Sequence, residues 1–328
     1  MAVAVPDDRV DFVPAADPLL RDQRLDHALT LPVLGIATRF ETNSAYVLGV
    51  VESAFGAWRA AEDTAGEVRV RVVVHDGSEH VTGRAPVRHF CPDATRLVVH
   101  SPGSVAVADP ERREGVAYVT TALAADREHF RSAVLEAVTL ALLAHLDRHP
   151  LHAAGLARGD RAVLLAGPSG SGKSTLAYLA REAGIQLLGD DRVWIQREPA
   201  LRVWGWPGQM RLTADSARHF PELASVEATS GVGGKEKLVV HGGQGAPPAP
   251  ARDVAVCLLA RGRRVALERV PAHEVADALR RVDPGFDRFP GRHELVVRDL
   301  AARGGWRLTL SDDPREALPP LRDLLESA

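Results

Sequence analysis

Arg161-Ala162-Val163-Leu164-Leu165-Ala166-Gly167-Pro168-Ser169-Gly170-Ser171-Gly172-Lys173-Ser174-Thr175 is the stretch on which the fold turns. The apolar run 161–166 reads as a buried strand, and the glycines at 167, 170 and 172 as a tight loop. Residues 174–183 read as a helix closed by Gly184. The octet 167–174 fits G-x-x-x-x-G-K-[ST] in the strand–loop–helix context that this pattern requires. Glycines let the backbone curl so that successive N–H groups point inward, and the following helix adds its positive end at the same place. Such a cradle suits the phosphates of a nucleotide. The expected binding stretch for a nucleotide is therefore 167–175, with Lys173 reaching the β- and γ-phosphates and the Ser174 hydroxyl binding Mg²⁺.

Phosphoryl transfer needs a second carboxylate for the metal and a group to orient or deprotonate the acceptor. The next apolar run, 185–188, leads into Gly189-Asp190-Asp191 at a strand's carboxyl end, where ligands collect on such sheets. Adjacent acids on a strand point to opposite sides, so one faces the metal while the other faces the acceptor. His152 opens the hairpin that feeds the loop, 21 residues before Lys173, and beside a carboxylate it would hold that group's orientation and tune its pKa. The hairpin itself is read from the runs 151–156 and 161–166, joined by Ala157-Arg158-Gly159-Asp160.

Farther along, 193–196 and 201–204 read as strands around Pro199, and two Gly-rich stretches, 230–234 and 241–250, as mobile loops forming a lid or linker. Lys235 and Lys237 would swing from this region over the γ-phosphate and neutralise developing charge. Arg211 and Arg192 are similar candidates, each weighed against a plain solvated charge. The tail reads as strands at 254–259, 264–268, 295–297 and 306–310, a helix at 272–281, and a last helix from Asp313-Pro314, an N-cap with proline at the first helical position.

On the amino-terminal side, 126–148 is a helix candidate with Leu135, Val138, Leu142 and Leu146 on one face, ended by Pro150. Residues 1–30 lack periodicity and read as an irregular arm. Strand-like runs follow at 45–51, 68–74, 95–100, 105–108 and 116–120, with a helix at 52–62 and turn pairs at Asp76-Gly77, Pro102-Gly103 and Asp109-Pro110. His75, His80, His89 and His100 are scattered through this part and read as surface or structural residues. The expected organisation is a small α+β domain over 1–125, suited to substrate or partner recognition, and a catalytic phosphate-loop domain over 126–328.

Composition narrows the function. The 328 residues carry 40 basic and 43 acidic side chains, a net charge of −3, which argues against a basic nucleic-acid binder. With Cys91 and Cys257 alone, neither a disulfide framework nor a cysteine zinc site is plausible. The start carries Asp7, Asp8 and Asp11 rather than a basic region before an apolar run, and the apolar stretch 132–145 is too short to span a bilayer. A cytoplasmic protein without a membrane partner is expected.

Leu151-His152-Ala153, the run from Val163 to Ser174, and Leu188-Gly189-Asp190-Asp191-Arg192-Val193 together resemble the kinase domain of the HPr kinase/phosphorylase family. The histidine, loop and acid pair stand in the family's order, with 17 residues from Lys173 to Asp190. The likeness is close over 151–193 and looser over 125–328. It implies an α/β phosphate-loop domain of the HPr kinase and phosphoenolpyruvate carboxykinase type, with a mixed sheet. It further implies that Asp190 takes the proton from a serine hydroxyl, that Asp191 helps to hold the metal, and that His152 sits against Asp190. After the acid pair stands Trp204-Gly205-Trp206-Pro207-Gly208-Gln209-Met210-Arg211-Leu212 in place of the family's arginine-glycine segment. The chain is therefore more similar to stand-alone members that modify peptides of biosynthetic clusters. The expected acceptor is serine of a peptide or small protein, and the resemblance leans toward a homo-oligomer. Two other readings stay open: a kinase of a small-molecule alcohol, and an ATP-binding or ATPase module whose amino-terminal part binds a partner. The chain has no Asn-Lys-x-Asp run for reading guanine, and ATP as the nucleotide rests on the resemblance.

Overall fold

The computed structural model describes residues 23–60, 66–76, 83–206, 209–226, 228–230, 236–241, 249–281 and 290–326. Its amino-terminal half starts with a hairpin, β1 (His27–Val33) and β2 (Ile36–Thr42), in full register. Leu34 and Gly35 both take positive φ at its tip, the conformation a tight two-residue turn demands. Residues 27–30, expected in the irregular arm, are thus strand, because the alternating Leu29, Leu31 and Val33 find a buried side.

Helix α1 (Ala45–Phe55) replaces the strand expected at 45–51. The Ser44 hydroxyl accepts from the Val47 N–H and caps it, and Val47, Val50, Val51 and Ala54 fall on one helical face that is buried. Capping and packing here outweigh the strand preference of a valine-rich run.

Strands β3 (Glu67–His75), β4 (Arg88–Phe90), β5 (Leu97–Ser101), β6 (Ser104–Asp109) and β7 (Glu114–Thr120) complete a seven-stranded mixed sheet, ordered β1-β2-β3-β7-β6-β5-β4. Its covering helix is α2 (Thr121–Ala125), α3 (Arg127–Phe130), one π turn (Arg131–Leu135) and α4 (Glu136–His145). Asp126 breaks it by leaving helical geometry, and its carboxylate caps α3. Phe130, Val134, Leu135, Val138 and Leu142 pack into the core of the first sheet. The helix that opened the second expected domain therefore shares its buried face with the residues before 125.

The carboxyl-terminal half holds β8 (His149–Leu151), β9 (Ala154–Arg158), β10 (Arg161–Ala166), α5 (Lys173–Glu182), β11 (Gln186–Gly189), β12 (Val193–Gln196), β13 (Arg202–Trp204), β14 (Gln209–Thr213), β15 (Ala228–Ser230) and β16 (Glu236–His241). It continues through β17 (Asp253–Arg261), β18 (Ala266–Val270), α6 (Ala272–Arg281), α7 (Pro290–Ala301), β19 (Gly305–Leu310) and α8 (Leu318–Glu326). The main sheet runs β11-β9-β10-β17-β19-β18, with β10, β17 and β19 parallel and the remaining pairs antiparallel. Alternate residues of β10 go to opposite faces: Val163 and Leu165 pack with α5 and α8, while Ala162, Leu164 and Ala166 pack with α6 and α7. The result is a helix–sheet–helix sandwich.

Two small sheets flank it, β13-β12-β8 and β14-β16-β15. The hairpin β9–β10 turns at 158–161 as expected, but β8 belongs to the first small sheet, so His152 lies where the chain passes between two sheets. The expected strand at 295–297 is part of α7, where Val296, Val297 and Leu300 are buried at helical spacing. The expected lid is interrupted by β16, paired on both sides, while 231–235 and 242–248, including Lys235, lie outside the described residues.

A seam of aromatic rings joins the halves. Trp194 and Trp204 belong to the first core, and Trp206 packs edge-on to Trp58 at 4.7 Å and lies 4.8 Å from Trp194. Arg148 places its guanidinium 4.9 Å from the Trp204 ring and donates to the Leu34 carbonyl at 2.7 Å. Burial lowers its pKa to about 10.

Candidate functional site

The loop after β10 takes its shape from its glycines. Gly170 and Gly172 have φ of +82° and +106°, which favour glycine over any residue with a Cβ. Gly172 caps α5, leaving the first N–H groups of that helix directed at the loop. Lys173 is buried, and its Nζ donates to the carbonyls of Gly167 (2.7 Å) and Pro168 (3.2 Å). Burial holds its pKa below the ordinary lysine value and Lys237 adds to that, while Asp191 and Asp190 oppose it. The Ser171 hydroxyl is buried without a hydrogen-bond partner. Thr175 Oγ1 lies 3.0 Å from Ser216 Oγ, which is 3.2 Å from Thr213 Oγ1, tying the start of α5 to the 3₁₀ turn Ala214–His219.

Asp190 and Asp191 follow β11 directly. Asp190 is buried; its Oδ2 accepts the Arg211 N–H at 3.0 Å, and its Oδ1 has no hydrogen-bond partner. Burial raises its pKa above the usual carboxylate value. The Arg211 N–H, the nearby Ser174 hydroxyl and Lys237 pull it down, and Asp191 pushes it up. Asp191 is half exposed, and His152 Nε2 stands 3.4 Å from its Oδ1. The histidine was expected against Asp190; it sits against Asp191, because two adjacent acids leaving a strand point apart and the β8–β9 link lies on the second one's side. The turn is close-fitting: a Cβ on Gly189 would fall 2.4 Å from the Arg192 carbonyl, and one on Gly205 2.6 Å from that of Leu188.

Lys237 sits within a strand, in register with Thr213, close enough to Asp190 and Lys173 to act on the pKa of each. Its backbone is held in a strand paired on both sides rather than in a loop. The Arg211 backbone serves Asp190 while its side chain is exposed. Arg192 leaves the site: its guanidinium lies 5.6 Å from the Trp194 ring and acts on the carboxylate of Glu136. Two residues went unnoticed in the sequence. Ser216 has no local signal. Arg261 reaches the loop only because β17 pairs in parallel with β10, a long-range fact.

A divalent cation fits this arrangement, since the Asp190 carboxylate is buried with Oδ1 unpartnered and the Ser174 hydroxyl lies beside that carboxylate. Among the described residues there is no cluster of three or more His, Cys, Asp and Glu side chains, so the remaining ligands of such a cation would be phosphate oxygens and water. No helix among the described residues is long and apolar enough to cross a membrane.

No family model matches the chain. Over 188 residues it is 32% identical to a tRNA dimethylallyltransferase of Rhodopseudomonas palustris (strain BisB18), covering 49% of this chain and 58% of that protein. The chain thus spans somewhat over half the length of this curated relative. Among solved structures, the Hpr(Ser) kinase/phosphatase from Coxiella burnetii is similar over 55% of this chain and 99% of its own, at 12% identity and a TM-score of 0.28, a likeness too slight to carry weight. The chain is a mixed α/β protein with a glycine-rich loop–helix junction and an acid pair beside it.

Proposed function

We infer that the chain is a phosphotransferase that takes the γ-phosphoryl group from ATP and passes it to a hydroxyl, with serine of a peptide or small protein as the favoured acceptor. The observation that carries this reading is the meeting of Lys173, Ser174, Asp190 and Asp191 at one place, each within electrostatic reach of another. The identity shared with a protein named a transferase supports group transfer.

The geometry favours exchanging the two acid roles suggested by the family resemblance. Asp190, buried beside Ser174 with one bare oxygen, is suited to hold Mg²⁺ together with that hydroxyl. When bound, Mg²⁺ supplies neutralising charge on the phosphates. Asp191, half exposed and backed by His152, is suited to accept the proton of the acceptor hydroxyl. The acceptor oxygen then forms its bond to the γ-phosphorus as the bond to the bridging oxygen breaks, and ADP leaves with that electron pair. Loop N–H groups and Lys173 hold the phosphates, and Lys237 faces the charge that builds up during transfer. An exposed base suits an acceptor arriving from an open surface, which favours a macromolecule over a small alcohol.

Incubation with labelled ATP, Mg²⁺ and a panel of acceptors tests this. Asp191→Asn is expected to slow acceptor phosphorylation by about 10²–10⁴-fold while leaving ATP affinity nearly unchanged. Turnover at the wild-type rate would remove Asp191 as the base. Slow ADP release that ignores every acceptor would leave the ATPase-module reading. Transfer RNA belongs in the panel because of the named relative, although a net charge of −3 offers no broad basic footprint.

A further inference from the structure

We propose that Arg261, which neither the loop motif nor the acid pair includes, is a nucleotide-holding residue that grips the phosphate chain from the β17 side of the loop. The proposal rests on the phosphotransferase reading above and adds a residue to its site. Because β10 and β17 are parallel and Ala166 pairs with Leu258, the last residue of β17 emerges at the level of the loop that follows Ala166. The Arg261 side chain crosses to the loop's far end. A Cβ on Gly172 would lie 3.0 Å from Arg261 Nη2 and 3.6 Å from its Cζ, so the guanidinium packs on the glycine that opens α5.

Three further observations make this a ligand contact rather than a surface charge at rest. Among the described residues no carboxylate forms an ion pair with Arg261, although the chain's arginines elsewhere often find one, as Arg161, Arg197, Arg280 and Arg307 do. Arg261 shares its rim with other cations: Arg218 donates to His219 Nε2 at 3.0 Å, Arg315 donates to the His219 carbonyl at 2.8 Å, and Arg261 itself is near enough to His219 to disfavour its protonation. Asp313 is an acid of this group; its Oδ1 accepts the Arg315 N–H at 3.0 Å and lies 3.9 Å from Arg315 Nη1, so its one charge already faces one of these guanidiniums. Like charges gathered on one rim repel unless an anion joins them. Finally, the buried Ser171 hydroxyl inside the same loop also lacks a partner, a second polar group awaiting one. A guanidinium, planar and forked, suits two oxygens of a polyphosphate at once.

The test is isothermal titration of the full chain with Mg-ADP and Mg-ATP. Arg261→Met is expected to weaken both by about 10- to 100-fold, the size of a lost charge-assisted hydrogen-bonded contact. Arg261→Lys, which keeps the charge and loses the fork, should fall between wild type and Arg261→Met. Arg263→Met, an exposed residue on the same turn, should stay within about twofold. The salt dependence of binding should also flatten in Arg261→Met, which a purely structural role would not produce. Arg261→Met and Arg261→Lys binding as tightly as wild type, while Lys173→Met loses binding, would overturn the proposal and leave the phosphotransferase reading standing. A wild-type chain that binds neither nucleotide would overturn that reading, and the proposal with it.

Discussion

Asp190 sets function against stability within one side chain. It is held in a buried place with one oxygen bare, and burial raises its pKa. The folded protein therefore keeps a proton on this group more readily than the unfolded chain. Its contribution to stability is complete below the unfolded carboxylate value and is lost as pH rises through the folded one. Asp190→Asn is expected to raise the melting temperature of the ligand-free protein at neutral pH. About 1–3 kcal/mol is at stake, or some 2–4 °C for each kcal/mol. The same variant should lose the Mg²⁺ dependence of nucleotide binding. Thermal scans and titrations on one preparation check both, and a lower melting temperature would contradict the account of Asp190. Gly35 acts on stability alone. Its φ is +73°, and a Cβ there would fall 2.2 Å from the Trp204 ring. Gly35→Ala should cost about 2–5 kcal/mol in urea unfolding. At this scale the phosphate loop was legible because its needs are local: glycines where φ is positive, then a helix start. The partner of His152 was not, because which of two adjacent acids a histidine meets depends on where another strand ends.

Among the elements, errors and successes share a cause. Residues 45–51 and 295–297 read as strands because short valine- and leucine-rich runs look alike in either structure, and only the cap at Ser44 and the buried helical faces decide between them. Residues 272–281 read correctly as a helix because charged and apolar positions alternate at helical spacing over their full length. The last helix was legible from Asp313-Pro314, and the structure bears out the cap, with Asp313 Oδ1 accepting from the Arg315 N–H at 3.0 Å. That turn leads into α8, whose Leu321, Leu324 and Leu325 complete the core beneath α5. Asp313→Ala should cost about 1 kcal/mol of global stability, read as a lower urea midpoint at unchanged slope. A loss within error would show that Pro314 alone organises the turn. The small sheet β14-β16-β15 could not be foreseen, since its strands are short, β15 and β16 border a glycine-rich stretch, and the sheet gains its place by packing Met210, Leu212 and Leu238 into the second core.

Seen whole, the two halves are coupled through rings and one buried arginine rather than through a slender tether. Trp194, Trp204 and Trp206 come from the segment after the acid pair yet pack with the amino-terminal core, and Arg148 fastens Trp204 to the β1–β2 turn. Cooperative unfolding follows. Cys257 lies at the centre of the main sheet, where burial pushes its thiol up to about 12, and it should stay unreactive toward a maleimide until the fold is lost, whereas exposed Cys91 should react at once. The urea midpoint from Cys257 labelling at short pulse should coincide with that from far-ultraviolet circular dichroism. Two separated transitions would mean that the halves melt independently. The position of the seam has an optical consequence. Trp194 stands three residues past Asp191 with a guanidinium 5.6 Å from its ring, so any shift of the acid-pair turn on filling the site alters the electric field at that indole. The chain thereby carries an intrinsic fluorophore for following occupancy in stopped flow, with no label attached.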